Sequence, residues 1–334
     1  MGSVSPDSEL QSLSFSNRVL ALVVTFNGEK YIRECLRRLL ESELPTDVLV
    51  VDNNSSDQTT KIIADEFPEV HLYHSQRNLG FGRANNVGMR QFLNSDMSYL
   101  FLVNQDLYVE PDTIGELIKL MEGDSEIDIS GPVQLDGTGE NVDFMFRRYL
   151  ARFTPTLLDD FLLNGKLEDF YPTRFINAAA WMMSKDCVRK LGVFDPLFPH
   201  YGEDTDYLNR ARFHGSKVCV APNVFVRHDR PQVRNVSGFR KKSNWHLVKN
   251  FIVLKDVNEN IVSAIGRLHL KLVHRTAKEL FVNRDIVGLL ALMSASFRTV
   301  LALPKILRHR GVSSGSDGAF ICNGSNDSNA EQSE

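Results

Sequence analysis

Asp52, Asn104-Gln105-Asp106, Glu203-Asp204 and His228 are the residues of this chain whose types and settings could do chemistry. Asp52 directly follows the apolar run at 48–51, so its carboxylate is expected at the rim of a sheet, where it can accept a hydrogen bond from a ligand. A uracil or thymine ring offers such a donor at its imide N–H, and cytosine does not. The alternative is that Asp52 caps the helix starting near Thr59, a role open also to Ser56 or Asp57. Asn104-x-Asp106 follows the apolar run YLFLV. One carboxylate can hold a hard divalent cation when phosphates and water complete the shell, although the same triplet fits an ordinary strand-to-turn junction. Glu203-Asp204 opens a predicted helix over 205–213, where the helix dipole favours acids whatever else they do. Imidazole at His228 suits a metal ligand or, when protonated, a phosphate donor.

The elements that must carry these groups follow from periodicity. Residues 19–26, VLALVVTF, form a short β-branched apolar stretch that ends at the turn signal Asn27-Gly28. Tyr31, Ile32, Cys35, Leu36, Leu39 and Leu40 then recur three or four apart, on one face of a helix. The alternation repeats: a strand at 48–51, capping residues at 52–57, a helix at 59–67, a strand at 70–74, a glycine-containing loop at 78–82, a helix to about 94 and a strand at 99–103. Such alternation implies a mostly parallel sheet covered on both faces, and ligands of such sheets sit beyond the carboxyl ends of the strands. Polar clusters stand at three of those ends: 25–28, 52–57 and 104–106.

Taken in order, Thr25-Phe26-Asn27, the segment 51–57, Arg77-Asn78-Leu79-Gly80-Phe81-Gly82 with Asn85 and Asn86, Asn104-Gln105-Asp106, and Tyr201-Gly202-Glu203-Asp204 resemble the inverting family 2 glycosyltransferases of GT-A fold, and most of all their bacterial rhamnosyltransferase-type members. The resemblance covers about residues 18–231. It implies a mixed α/β sheet flanked by helices and hexosyl transfer from a nucleotide diphosphate to an acceptor hydroxyl, with inversion. It further implies that Thr25, Asn27, Asp52, Asn78, Gly80 and Asn104 border the nucleotide, and that Asp106 and His228 meet a divalent cation, Mg2+ or Mn2+. Asp204 would be the general base, with Glu203 organising the acceptor or the neighbouring backbone. Arg227 and Arg230 would face the leaving diphosphate, and Trp181 of FINAAAWMM would stack on the acceptor sugar; a buried strand with core Trp and Met is the other reading of that segment. The first acid of the family's Asp-x-Asp is here Asn104, which leaves room for a weaker metal requirement. The donor expected is dTDP-rhamnose, with a UDP-sugar as the alternative, and the acceptor a cell-surface glycan or lipid-linked glycan.

Composition bounds the rest. A chain of 334 residues, 43% hydrophobic and 24% charged, holds one large domain or two. A net charge of −4 excludes a uniformly basic nucleic-acid binder. The balance hides a split, because residues 227–310 alone carry a net +12, with apolar positions at helical spacing over 245–254, 261–272 and 286–307. That region, 232–310, is expected to be a basic amphipathic extension that rests on an anionic membrane surface; the alternatives are a solvated helical bundle packed on the catalytic domain and a homodimer interface. The segment 144–170, rich in aromatics and leucine, is expected to be irregular, an acceptor-side loop or lid. Residues 1–17 should be a flexible leader and 311–334 a disordered tail. Cys35, Cys187, Cys219 and Cys322 form no C-x-x-C pair, which fits a cytoplasmic chain, peripheral on the inner face of the membrane. A dinucleotide-dependent oxidoreductase is disfavoured, since Gly80-Phe81-Gly82 lacks the third glycine of its fingerprint. A non-catalytic sugar- or membrane-binding module is conceivable on account of Asn104.

Overall fold

The computed structural model describes residues 17–198, 200–230, 237–315 and 318–321. The chain opens with β1 (Val19–Thr25), α1 (Ile32–Leu40), β2 (Asp47–Asp52), α2 (Thr59–Glu66), β3 (His71–His74), α3 (Phe81–Asn94) and β4 (Tyr99–Asn104). Next come β5 (Leu107–Val109), α4 (Thr113–Gly123), β6 (Ile127–Asp136), α5 (Phe144–Phe153), α6 (Pro155–Asp159), β7 (Tyr171–Pro172) and β8 (Ala180–Ser184). After α7 (Lys185–Leu191), α8 (Glu203–Phe213) and β9 (Lys217–His228), the helices α9 (Phe239–Lys255), α10 (Ile261–Ala277), α11 (Ile286–Leu301) and α12 (Leu303–Ser314) follow.

The strands form a mixed sheet in the order β3-β2-β1-β4-β8-β6-β9-β5, with β7 also on β9. The first four are parallel, and β8 runs antiparallel between β4 and β6. β1 is apolar from Val19 to Val24 because both of its faces are covered. Leu20 and Leu22 enter the core that holds Met89 and Phe92 of α3, while Val19, Ala21 and Val23 enter the one that holds Ile32, Cys35 and Leu36 of α1. Each of the Val, Leu, Ile, Met and Phe side chains among them contributes about 1.5–3 kcal/mol on burial. α3 lies so close to β1 that a Cβ at Gly88 would come within 2.2 Å of Leu22. Register then sets the rim: Thr25 pairs with Asp52, and Val24 with Asn104.

Three expectations change. Residues 144–170 are not an irregular loop: Asp143 caps α5 through the amides of Met145 and Phe146, and α6 runs into a π-helical turn, Asp160–Asn164. The helical spacing over 286–307 is divided between α11 and α12, which meet at 64° beside Pro304. The tail is structured in part, since α12 reaches Ser314, and Ala319 and Phe320 are buried in the first core, where the Val193 amide donates to the Ala319 carbonyl (3.0 Å). Residues 316–317 and 322–334 of the tail, and the leader before residue 17, lie outside the described residues. Among the described residues no single helix is long and apolar enough to cross a membrane.

Candidate active site

The loops after β1, β2 and β3 are tied to one another mostly by neutral side chains, with Asp57 taking the Glu29 amide (3.1 Å) and Glu29 the Gln58 amide (3.2 Å). The Gln105 side-chain oxygen accepts from Thr25 Oγ1 (2.6 Å) and the Phe26 amide (2.9 Å). Gly28 lies directly beneath it: a Cβ there would come within 2.5 Å of Thr25 Oγ1 and crowd the Gln105 oxygen, so the glutamine would have to shift. Asn27, at φ +48°, accepts from the Ser56 amide (2.9 Å), while its own amide donates to Ser55 Oγ (2.9 Å). Asp52 is 2% exposed and receives the Ser55 amide at 3.2 Å. Asp57, not Asp52, accepts from the Thr59 amide at the start of α2 (3.0 Å). Asn53 accepts from the Leu79 amide (2.6 Å) and donates to Asn78 Oδ1 (3.1 Å), which in turn takes the Gly80 amide (2.9 Å). Asn104 Oδ1 is buried at this rim without a hydrogen-bond partner among the described residues. A buried acceptor left open is costly, so it fits a ligand hydroxyl or amide.

β5 and β9 bring the next two groups together by pairing Leu107 with His228. His228 is 1% exposed, and its Nε2 lies 3.3 Å from Asp106 Oδ1 without hydrogen-bond geometry. Its Nδ1 lies 3.2 Å from Gln134 Oε1, which also accepts from Asn177 Nδ2 (3.1 Å). An acceptor at Nδ1 puts the ring proton there and turns the Nε2 lone pair toward a carboxylate. Two facing lone-pair donors suit a cation between them, so these residues fit a divalent ion. No third His, Cys, Asp or Glu joins them among the described residues, so further ligands would have to come from phosphate and water.

The candidate base stands on a strained turn. Tyr201 (φ +67°) and Gly202 (φ +92°) lead into α8, whose first turn carries Glu203, Asp204 and Asp206. Asp204 Oδ1 accepts from the Thr205 amide (2.6 Å) and hydroxyl (3.2 Å). The turn is pressed on the loop at the start of α3: a Cβ at Gly82 would lie 3.2 Å from the Phe198 carbonyl and 3.4 Å from Glu203 Cβ. Asn86 clasps Phe194 through both backbone groups (2.8 Å each). Beneath α8 lies a buried charge network. Lys255 Nζ sits 3.0 Å from Asp195 and 3.3 Å from Asp206, Arg210 lies 3.3 Å from Asp206, and His309 is 2.6 Å from Asp195. Burial works against the Asp195 carboxylate, yet the His309 hydrogen bond and Lys255 hold it at about 2, while burial pushes Asp206 up. The C-terminal helices are therefore bolted to the helix that carries Asp204.

Three expected roles do not match their surroundings. Trp181 is fully buried against Phe194 and Tyr207, because inward-facing residues of β8 enter the core, so the buried-strand reading holds and no sugar can stack on it. Arg227 alternates with His228 along β9 and turns to Glu110 (3.4 Å). Arg230 is bound to the buried Asp143 (2.7 Å), which commits its charge to the α5 cap. Sequence reasoning assigned no role to Gln105 or Gln134 and showed Asn53 only as one of the capping residues at 52–57, because their partners are distant in the chain. It also passed over Trp245, a partly exposed ring edge-on to Tyr201 at 6.4 Å, beside the base turn.

The family model for glycosyl transferase family 2 matches residues 21–192, which hold the whole rim just described. The chain belongs to glycosyl transferase family 2. This family 2 glycosyltransferase is 24% identical over 278 residues to the dTDP-rhamnosyl transferase RfbF of Shigella flexneri, covering 78% of this chain and 88% of that one. Its fold resembles S. aureus TarS 1-349 in complex with UDP-GlcNAc (17% identity, TM-score 0.57, 89% of this chain and 88% of that). It also resembles the mannosyltransferase PcManGT from Pyrobaculum calidifontis in complex with GDP-Man and Mn2+ (16% identity, TM-score 0.54, 89% and 80%). The sheet is thus of GT-A type, as the motif order implied.

Proposed function

We propose that the enzyme moves L-rhamnose from dTDP-rhamnose, with inversion, to a hydroxyl of a cell-surface or lipid-linked glycan, working as a peripheral protein on the cytoplasmic face of a membrane. Asp52 at the rim, suited to the imide N–H of thymine or uracil, supports either base, and the likeness to RfbF supports dTDP-rhamnose. A UDP-sugar is the second reading, favoured by the fold's likeness to TarS with UDP-GlcNAc. Asp106 and His228 would hold a divalent cation, which when bound supplies positive charge against the diphosphate. Asp204 takes the acceptor's hydroxyl proton as that oxygen bonds to the anomeric carbon and the bond from that carbon to the diphosphate oxygen breaks. Thr205 orients the carboxylate through Oδ1. The observation that supports this reading is the packing of the turn before α8 on the start of α3, where a Cβ at Gly82 would lie 3.2 Å from the Phe198 carbonyl and 3.4 Å from Glu203 Cβ, so the helix that carries Asp204 begins beside the Asn78-to-Gly82 segment. Asp204→Asn should lower kcat by roughly 10²–10⁴-fold while leaving nucleotide affinity close to wild type. Loss of nucleotide binding, or an unchanged kcat, would remove Asp204 from the role of base.

A further inference from the structure

Lys242, Trp245, His246 and Lys249 recur at i, i+3, i+4 and i+7 along α9, so they share one face. That face adjoins the base turn. Trp245 stands edge-on to Tyr201, and a Cβ at Gly202 would come within 2.9 Å of Val248. Lys249 Nζ lies 4.5 Å from the Trp245 ring centroid. Arg275 of α10 and Lys278 of the following π-helical turn, Lys278–Asn283, bring two more cations into the field of Lys249.

These charges are poorly compensated. Lys242 is paired with Asp285, but among the described residues no carboxylate lies within ion-pair range of Lys249, Arg275 or Lys278. Arg275 donates to a neutral acceptor, Asn250 Oδ1 (2.9 Å), and Glu279 opposes the cluster only in part. Burial, with Arg275 and Lys278 beside it, draws Lys249 down to about 8, and burial also lowers Arg275. His246, 7% exposed, is lowered by burial and by Arg275 and Lys249, and its Nδ1 is buried with no hydrogen-bond partner among the described residues. Gathering like charges away from water is unfavourable until an anion joins them.

Beside the cluster the surface is apolar. Phe281, Val282, Ile286, Met293, Phe297 and Val300 are each between 61% and 76% exposed, on the π-helical turn and α11. Exposed apolar side chains rimmed by cations fit the interface of an anionic bilayer better than they fit water.

We propose that Lys249, Arg275, Lys278 and His246 form a binding site for a phosphate group carried on a lipid, placed beside Trp245 and the Asp204 turn. Placing an acceptor's phosphate there rests on the transferase reading above; the phosphate site itself does not. The phosphate belongs to an anionic headgroup or to a polyprenyl phosphate, and both present the same chemistry to the cluster.

The test is flotation of the full chain with vesicles of phosphatidylcholine alone, with added phosphatidylglycerol, and with added polyprenyl phosphate at matched charge. Wild type should bind both anionic kinds, and Lys249→Gln with Arg275→Gln should bind them roughly tenfold more weakly or worse. Lys249→Arg should retain binding. Lys278→Gln, a surface change, should weaken binding severalfold and keeps the test alive if the double variant does not fold. Stronger binding to polyprenyl phosphate than to phosphatidylglycerol assigns the site to the acceptor; equal binding assigns it to the headgroup, and either supports the site. Wild-type binding by the folded double variant, or equal wild-type binding to neutral vesicles, overturns it. Nucleotide affinity is measured in parallel: vesicle binding without binding of dTDP or UDP would sink the transferase reading and leave the phosphate site standing.

Discussion

At the donor rim, Gln105, Asn27, Asn53 and Asn78 satisfy one another and the loop amides with neutral hydrogen bonds. On the C-terminal helices, Lys249, Arg275 and Lys278 stand together without a paired carboxylate among the described residues. The rim can keep its shape before a nucleotide arrives, so little ordering opposes binding. The cation cluster is strained in charge and is relieved by what binds it. Between the two lies the network of Lys255, Asp195, Asp206 and His309, charged like the cluster but internally paired like the rim.

The comparison breaks first at that network. Lys255→Met leaves two buried carboxylates without their shared cation, and the unfolding free energy should fall by about 3–5 kcal/mol in a denaturant titration. A loss below about 1 kcal/mol would mean that apolar contacts such as those of Phe198 with Phe251 and Ile306 dock the extension unaided. The same network sets an acid limit. Asp195 is held near 2 in the fold against about 3.9 in the unfolded chain, so its contribution is fully present above pH about 4 and is lost as pH falls toward 2. It should be worth about 2 kcal/mol, and Asp195→Asn should lack that part of the stability profile when unfolding is followed across this range.

The rim is sharpened by smaller changes. Gln134→Leu removes the acceptor that orients His228 and should weaken Mn2+ binding by roughly 10–100-fold, read by calorimetry in the presence of dTDP. An unchanged affinity would take His228 out of the metal site. Asn53→Ala frees the Leu79 amide and unties Asn78, and nucleotide affinity should drop about fivefold. If it does not, the Asn78 loop is held by its backbone alone.

What the sequence made legible follows from locality. Each βα step of the first half announces itself within about twenty residues, through an apolar run, a capping cluster and a helical period, so the strand ends and their acids could be placed in order. Groups that work through distant partners stayed hidden. Gln134 and His228 are 94 residues apart in the chain, and Lys255 reaches Asp195 and Asp206 from another helical layer. Trp181 carried the opposite error, because a tryptophan in an apolar strand offers the same local signal whether the ring lines a cleft or fills a core. Ala319 and Phe320 escaped notice inside a Ser-, Asn- and Gly-rich stretch, since two buried residues set no period.

The most direct test of the account is turnover by the full chain across a panel of nucleotide sugars with a divalent cation present. The account predicts binding and consumption of dTDP-rhamnose in preference to UDP- and GDP-sugars, and their loss in competition with dTDP. Failure to bind or consume any nucleotide sugar would contradict it.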